Sequence, residues 1–146
     1  MITISILGLD QYLVGTYSEE NTKKLADLYE VKPSEISFYS PNAFYFHDGF
    51  DQTSWNVLVR LHAPQECEVL EDKVTAYLFK TLKNIAIHIS VEYFYYDKKH
   101  RHTYINPDYP RFITEQNAVV VDEPLEDEEE DIYDGNIFAE LDDRNK

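Results

Sequence analysis

The order strand, helix, strand occurs twice in this 146-residue chain, and that repetition constrains the fold more than any other feature. Ile2, Ile4 and Ile6 alternate with Thr3 and Ser5, the period of two that belongs to a strand with unlike faces. Thr16 or Ser18 offers a helix N-cap, and Thr16 with Glu19 makes a capping box. Asn21, Leu25, Leu28 and Tyr29 then fall along one helical stripe, which Pro33 stops after Val31. Residues 35–46 (EISFYSPNAFYF) are rich in aromatic side chains and suit a strand, with a bend, bulge or edge position at Pro41-Asn42. His47-Asp48-Gly49 signals a turn.

The second unit follows the same order. Trp55, Val57, Val59 and Leu61 alternate with Asn56, Leu58, Arg60 and His62. Pro64 can open a helix at its first turn, and Leu70, Val74, Tyr77, Leu78 and Leu82 form a helical stripe across residues 65–83. Ile85, Ile87, Ile89, Val91 and Tyr93 then alternate with Ala86, His88, Ser90 and Glu92. Each helix is long enough to cross between parallel strands, a connection that is almost always right-handed. The fold class predicted is α+β: two β-α-β units forming one four-stranded mixed sheet with both helices on one face. Ile2/4/6, Val57/59 and Ile85/87/89 would meet the helices, and Trp55 would join the core. Thr3, Ser5, Asn56, Leu58, Arg60, His62, Ala86, His88, Ser90 and Glu92 would form a mixed opposite face, wetted or lining the interior of an oligomer.

These two units account for residues 1–121, of which 97–121 read as a basic turn followed by an extended arm. Beyond them the chain changes character. Of its net charge of −15, −10 falls on residues 122–146, with twelve Asp/Glu against two basic residues. The run DEPLEDEEED repels itself and has too little apolar surface to offset the entropy of ordering, so 122–146 read as an acidic, disordered tail. Tyr133, Ile137, Phe138 and Leu141 keep open the alternative of a short amphipathic helix that docks on the body or on a protein partner. The charge opposes binding to nucleic acid or to anionic lipid. No apolar run nears the roughly 18 residues of a membrane span, the first residues lack the basic start of a secretory signal, and a single Cys permits no internal disulfide. A cytoplasmic location is the expectation.

The element order, the helix exit VKPSEI at 31–36, and the strands SWNVLVRLHAP and NIAIHISVEYFYY make residues 1–96 resemble the tautomerase superfamily, which includes macrophage migration inhibitory factor. Within it the chain is most similar to an uncharacterised bacterial family. The resemblance implies a homotrimer whose three sheets surround a channel with the helices outside. It also implies chemistry centred on an N-terminal proline whose secondary amine acts as a base or nucleophile. Here the chain departs from the pattern: it opens Met1-Ile2, and Met1 is expected to be retained because Ile2 is large. Proline-dependent tautomerase activity is therefore expected to be absent, although the Met1 amine remains a weak base.

Several residues are candidates for other chemistry. Met1, His47, Arg60 and Tyr95 are candidate catalytic groups, and Tyr39, His88 and Glu92 candidate ligand contacts. A small-molecule pocket between subunits near Met1, Tyr39, His47 and Tyr95 is one reading of them. Each has a plainer alternative: an ion pair for Arg60 and Glu92, and a capped turn for His47 and Asp48. His88 and Glu92 stand four residues apart on one strand face, about 13 Å, too far to share an ion within one chain. Three His88 side chains gathered at a trimer axis are the alternative that would admit zinc. No metal or other cofactor is expected. Cys67, placed in the first turn of the second helix where the dipole can lower a thiol pKa, reads as structural. Twelve tyrosines are many for this length; Tyr93-Phe94-Tyr95-Tyr96 and the arm residues Tyr104, Tyr109 and Phe112 suit an interface, packing on their own domain, or a pocket. Lys98, Lys99, His100, Arg101 and His102 form a basic turn, either solvated or paired with the acidic tail.

Overall fold

The structure is a computed structural model that describes residues 1–117. The boundary near Val119–Val121, the acidic run from Asp122 and the stripe of Tyr133, Ile137, Phe138 and Leu141 lie outside the described residues. The chain divides into two units, Met1–Thr103 and one that begins at Tyr104. In the second unit Asn117 tethers a short loop, its Oδ1 accepting from the Thr114 amide and its Nδ2 donating to the Phe112 carbonyl.

The first unit holds both β-α-β repeats: β1 (Ile2–Leu7), α1 (Gln11–Tyr29) and β2 (Ile36–Tyr39), then a two-stranded hairpin of β3 (Phe46–His47) and β4 (Phe50–Asp51), then β5 (Asn56–Pro64), α2 (Glu71–Leu82) and β6 (His88–Tyr96). The four main strands lie in the order β2-β1-β5-β6. β1 is parallel to β2, β5 is parallel to β6, and the central pair β1/β5 is antiparallel, so the sheet is mixed as expected. Ile2, Ile4, Ile6, Val57, Val59 and Leu61 are buried, and Leu25, Val74, Leu78 and Leu82 from the two helices complete the same core. Both helices therefore cover one face. Between them runs a polar seam: the Tyr17 and Thr81 hydroxyls share a hydrogen bond, and the Tyr77 hydroxyl donates to Oδ1 of the buried Asn21.

Local elements depart from expectation in four places. α1 begins at Gln11 rather than near Thr16, because the Asp10 carboxylate accepts from the Tyr12 amide at 2.8 Å and caps the helix earlier. Thr16 and Ser18 both lie inside that helix, where the Ser18 hydroxyl donates to the Gly15 carbonyl, so neither serves as its N-cap. Asp10→Ala is expected to lower stability by about 1 kcal/mol, seen as a lower midpoint in urea without a change of slope. Only Ile36–Tyr39 of the aromatic stretch 35–46 pairs in the main sheet. Residues 65–70 form a 3-10 turn ahead of α2 rather than its first turns; Cys67 is buried there, and burial pushes its thiol pKa up rather than down.

The fourth departure shifts a whole strand. The amides of Ile85 and Ala86 both turn back to the Leu82 carbonyl, so the chain is still leaving α2 at these residues and β6 starts only at His88. The alternation predicted for 85–87 is therefore out of phase: Ala86 is buried and Ile87 is exposed. Trp55 likewise stands in the turn before β5, 56% exposed, and is not core; its ring meets His88 edge-on at 6.0 Å.

Candidate functional site

The strand directions decide which candidate residues can meet. The start of β1, the start of β2 and the ends of β5 and β6 all lie at one end of the sheet. Met1 and Tyr95 belong to that end. Tyr39, paired with Ser5, His47 of the β3/β4 hairpin and His88 at the start of β6 belong to the other. Arg60 and Glu92 lie between. Within one protomer the seven candidates thus occupy three places.

At the Met1 end, the Tyr96 hydroxyl donates to the Met1 carbonyl, and the Arg101 guanidinium lies over the Tyr96 ring, 5.7 Å from its centroid. The Ser37 hydroxyl lies 3.6 Å from the Met1 sulfur. Lys98 pairs with Glu66 across an exposed gap. Burial first, and then the positive charge of Arg101, hold the pKa of the Met1 amine below its ordinary value. Tyr95 faces differently: its hydroxyl donates to Glu71 Oε2 at 2.6 Å. Burial, the bond to Glu71 and that carboxylate's charge all raise the Tyr95 pKa, so this phenol keeps its proton and acts as a donor. Tyr96, Lys98 and Arg101 had been visible only as an aromatic cluster and a basic turn. Their convergence on Met1 depends on the β1/β5/β6 pairing, which spans 95 residues of sequence between Tyr96 and Met1.

On the polar face of the sheet Arg60 and Glu92 are direct cross-strand partners and form an ion pair, Nε to Oε2 at 3.2 Å. His62 stacks on Phe94, their ring centroids 4.8 Å apart. A groove of about 390 Å³ runs over this face, floored by Asn56, Arg60, Ser90 and Glu92 and walled by Phe44 and Tyr45. The neighbouring His47 sits in a two-residue hairpin whose central Asp48 and Gly49 both have positive φ, as a type I′ turn requires. Among the described residues no three His, Cys, Asp or Glu side chains are placed to hold a metal ion, and no helix is long and apolar enough to cross a membrane.

No family model and no curated protein matches the sequence. Solved structures do match. A domain of unknown function from Sebaldella termitidis superposes with a TM-score of 0.64 at 15% identity, over 70% of this chain and 95% of that one. A macrophage migration inhibitory factor-like protein from Entamoeba histolytica gives a TM-score of 0.56 at 9% identity, over 70% and 92% of the two chains. Macrophage migration inhibitory factor of Toxoplasma gondii gives 0.53 at 11%, over 69% and 95%. With two β-α-β units in one mixed sheet and both helices on one face, this chain has the tautomerase fold typified by macrophage migration inhibitory factor.

Proposed function

We propose that this tautomerase-fold protein is a homotrimer of the cytoplasm that lacks proline-dependent tautomerase activity. The observation that carries the reading is the start of β1. Met1 and Ile2 stand where the resemblance calls for a terminal proline, and the Met1 carbonyl is held by the Tyr96 hydroxyl. Neither Met1 nor Ile2 is a proline, so neither side chain closes the ring of a secondary amine there. Assembly is supported by β6, a nine-residue edge strand without proline whose outer side offers backbone donors and acceptors to another copy. A closed cyclic arrangement of such edges leaves none open.

A second reading, a small-molecule binder or enzyme using a pocket between subunits, is favoured by one observation. The Met1 amine lies beside Arg101 with its pKa lowered, so more of it is neutral near pH 7 than for a solvated amine. A protein-interaction role for the acidic segment 122–146 rests on its sequence alone, the charge and the spacing of Tyr133, Ile137, Phe138 and Leu141.

One pair of measurements tests the main reading. Light scattering coupled to size exclusion should give the mass of three subunits. The same sample should show no ketonisation of phenylpyruvate above the buffer rate. A monomeric mass would overturn the assembly, and turnover that survives extensive purification would favour the second reading. Replacing the opening Met1-Ile2 by Met-Pro would then report whether the surroundings can support a proline base.

A further inference from the structure

We propose that the groove on the polar face of the sheet binds a free α-amino acid with an aromatic or apolar side chain. This site is distinct from the Met1 end: it is reached from the far end of β1, where Leu7 and Gly8 border it. Its volume of about 390 Å³ lies in the range of small-molecule pockets.

The chemistry comes from how Arg60 and Glu92 use their atoms. Among the described residues Arg60 bonds only through Nε and Glu92 only through Oε2. The two Nη nitrogens therefore remain to grip a carboxylate, and Oε1 remains to accept from an ammonium. The opposite charges stand side by side because the two residues are register partners on adjacent strands. A ligand carrying one charge meets one attractive and one repulsive neighbour there. A ligand carrying both, separated by a single carbon, is complementary to the pair.

The remaining lining fits the same ligand. Asn56 donates from Nδ2 to the Gln52 side chain at 3.0 Å, which fixes the amide and leaves Oδ1 as a further acceptor on the floor. Phe44 and Tyr45, 65% and 50% exposed, supply the apolar wall against which a ligand side chain loses water. Both charged side chains are about half exposed, at 45% and 48%, so binding need not first break a desolvated ion pair.

Calorimetric titration of the full-length protein with L-phenylalanine tests this, with 3-phenylpropanoate and phenethylamine as probes that each keep one of the two charges. Phenylalanine should saturate the protein, and each probe should bind at least about tenfold more weakly, the loss expected when one charge-assisted contact is removed and its partner opposed. Arg60→Gln and Glu92→Gln should each weaken phenylalanine by a similar factor while the mass by light scattering stays unchanged. Absence of saturation up to about 10 mM, weaker than any useful affinity for such a ligand, would overturn the proposal. So would equal binding of phenylalanine and 3-phenylpropanoate, a comparison made on the unaltered protein and independent of how the variants fold.

Discussion

Gly8→Ala is expected to destabilise the protein by about 2–4 kcal/mol, whereas Gly49→Ala, at nearly the same backbone angle, should lose only about 1 kcal/mol. Gly8 ends β1 with φ +89, and a Cβ built there would stand 2.6 Å from the Asn56 carbonyl oxygen and 3.6 Å from the Val57 Cα. Those atoms are backbone of the central strand β5, so no side chain can rotate away to make room. The Gly8 carbonyl also accepts the Ser54 amide at 2.7 Å, which ties it to the turn that opens β5. Gly49 has φ +83 but no neighbour within 4 Å of the added carbon, so its cost is conformational alone. The difference between the two variants therefore isolates the close approach of β1 to β5. Urea unfolding of both would measure it, and equal midpoints would mean that the strand end shifts without resistance. Because Gly8 and Asn56 border the groove, the same variant should also weaken ligand binding there.

The parts of the fold that were legible are those where one face of an element is wholly buried. Ile2, Ile4 and Ile6 could be placed from their spacing because a slip of one residue would expose all three. The pairing of Arg60 with Glu92 followed from setting two alternating strands side by side. The parts misplaced lie where an element begins. Trp55 and Ile87 continue the alternation of their strands in sequence, but each stands one residue before its strand begins, at Asn56 and at His88, and at that margin both side chains are exposed although the period puts them in the core. The start of α1 was set by one carboxylate, Asp10, which competed in the sequence with a more conspicuous Thr16–Glu19 box. The site was less legible still. Tyr39 and Tyr95 fall at opposite ends of the sheet because β1 runs parallel to β2, as the crossover helix implies, and antiparallel to β5, a choice between the two units that no local pattern encodes.

Stability is expected to fall steeply as the pH rises above 10; burial raises the pKa of Tyr77, Tyr93 and Tyr95 as well, and two tyrosines of the core, Tyr17 and Tyr29, should carry separable shares of the decline. Burial pushes the Tyr17 phenol up from the ordinary value of 10 to about 12, against a smaller lowering by its bond to Thr81. Burial raises Tyr29 further. A raised phenol pKa means that the folded chain holds its proton more tightly than the unfolded chain does. Below pH 10 both states are protonated and the full stability is present. Above it the unfolded state ionises first, and each such tyrosine removes about 1.4 kcal/mol per pH unit until its folded pKa is passed. For Tyr17 alone the loss is about 2–3 kcal/mol by pH 12, and Tyr29 adds its own loss over the same range and beyond. The two can be separated. Tyr17→Phe removes the hydrogen bond to Thr81 and should lower stability at pH 8 while making the alkaline decline shallower. The Tyr29 hydroxyl is buried with no partner among the described residues, so Tyr29→Phe should leave stability at pH 8 unchanged or raise it. It should also flatten the decline by one tyrosine's share. Urea midpoints of the three proteins at pH 8, 10 and 11 would resolve these slopes. A parent midpoint that stays constant from pH 9 to 11 would show that neither phenol is withheld from solvent as the core packing requires.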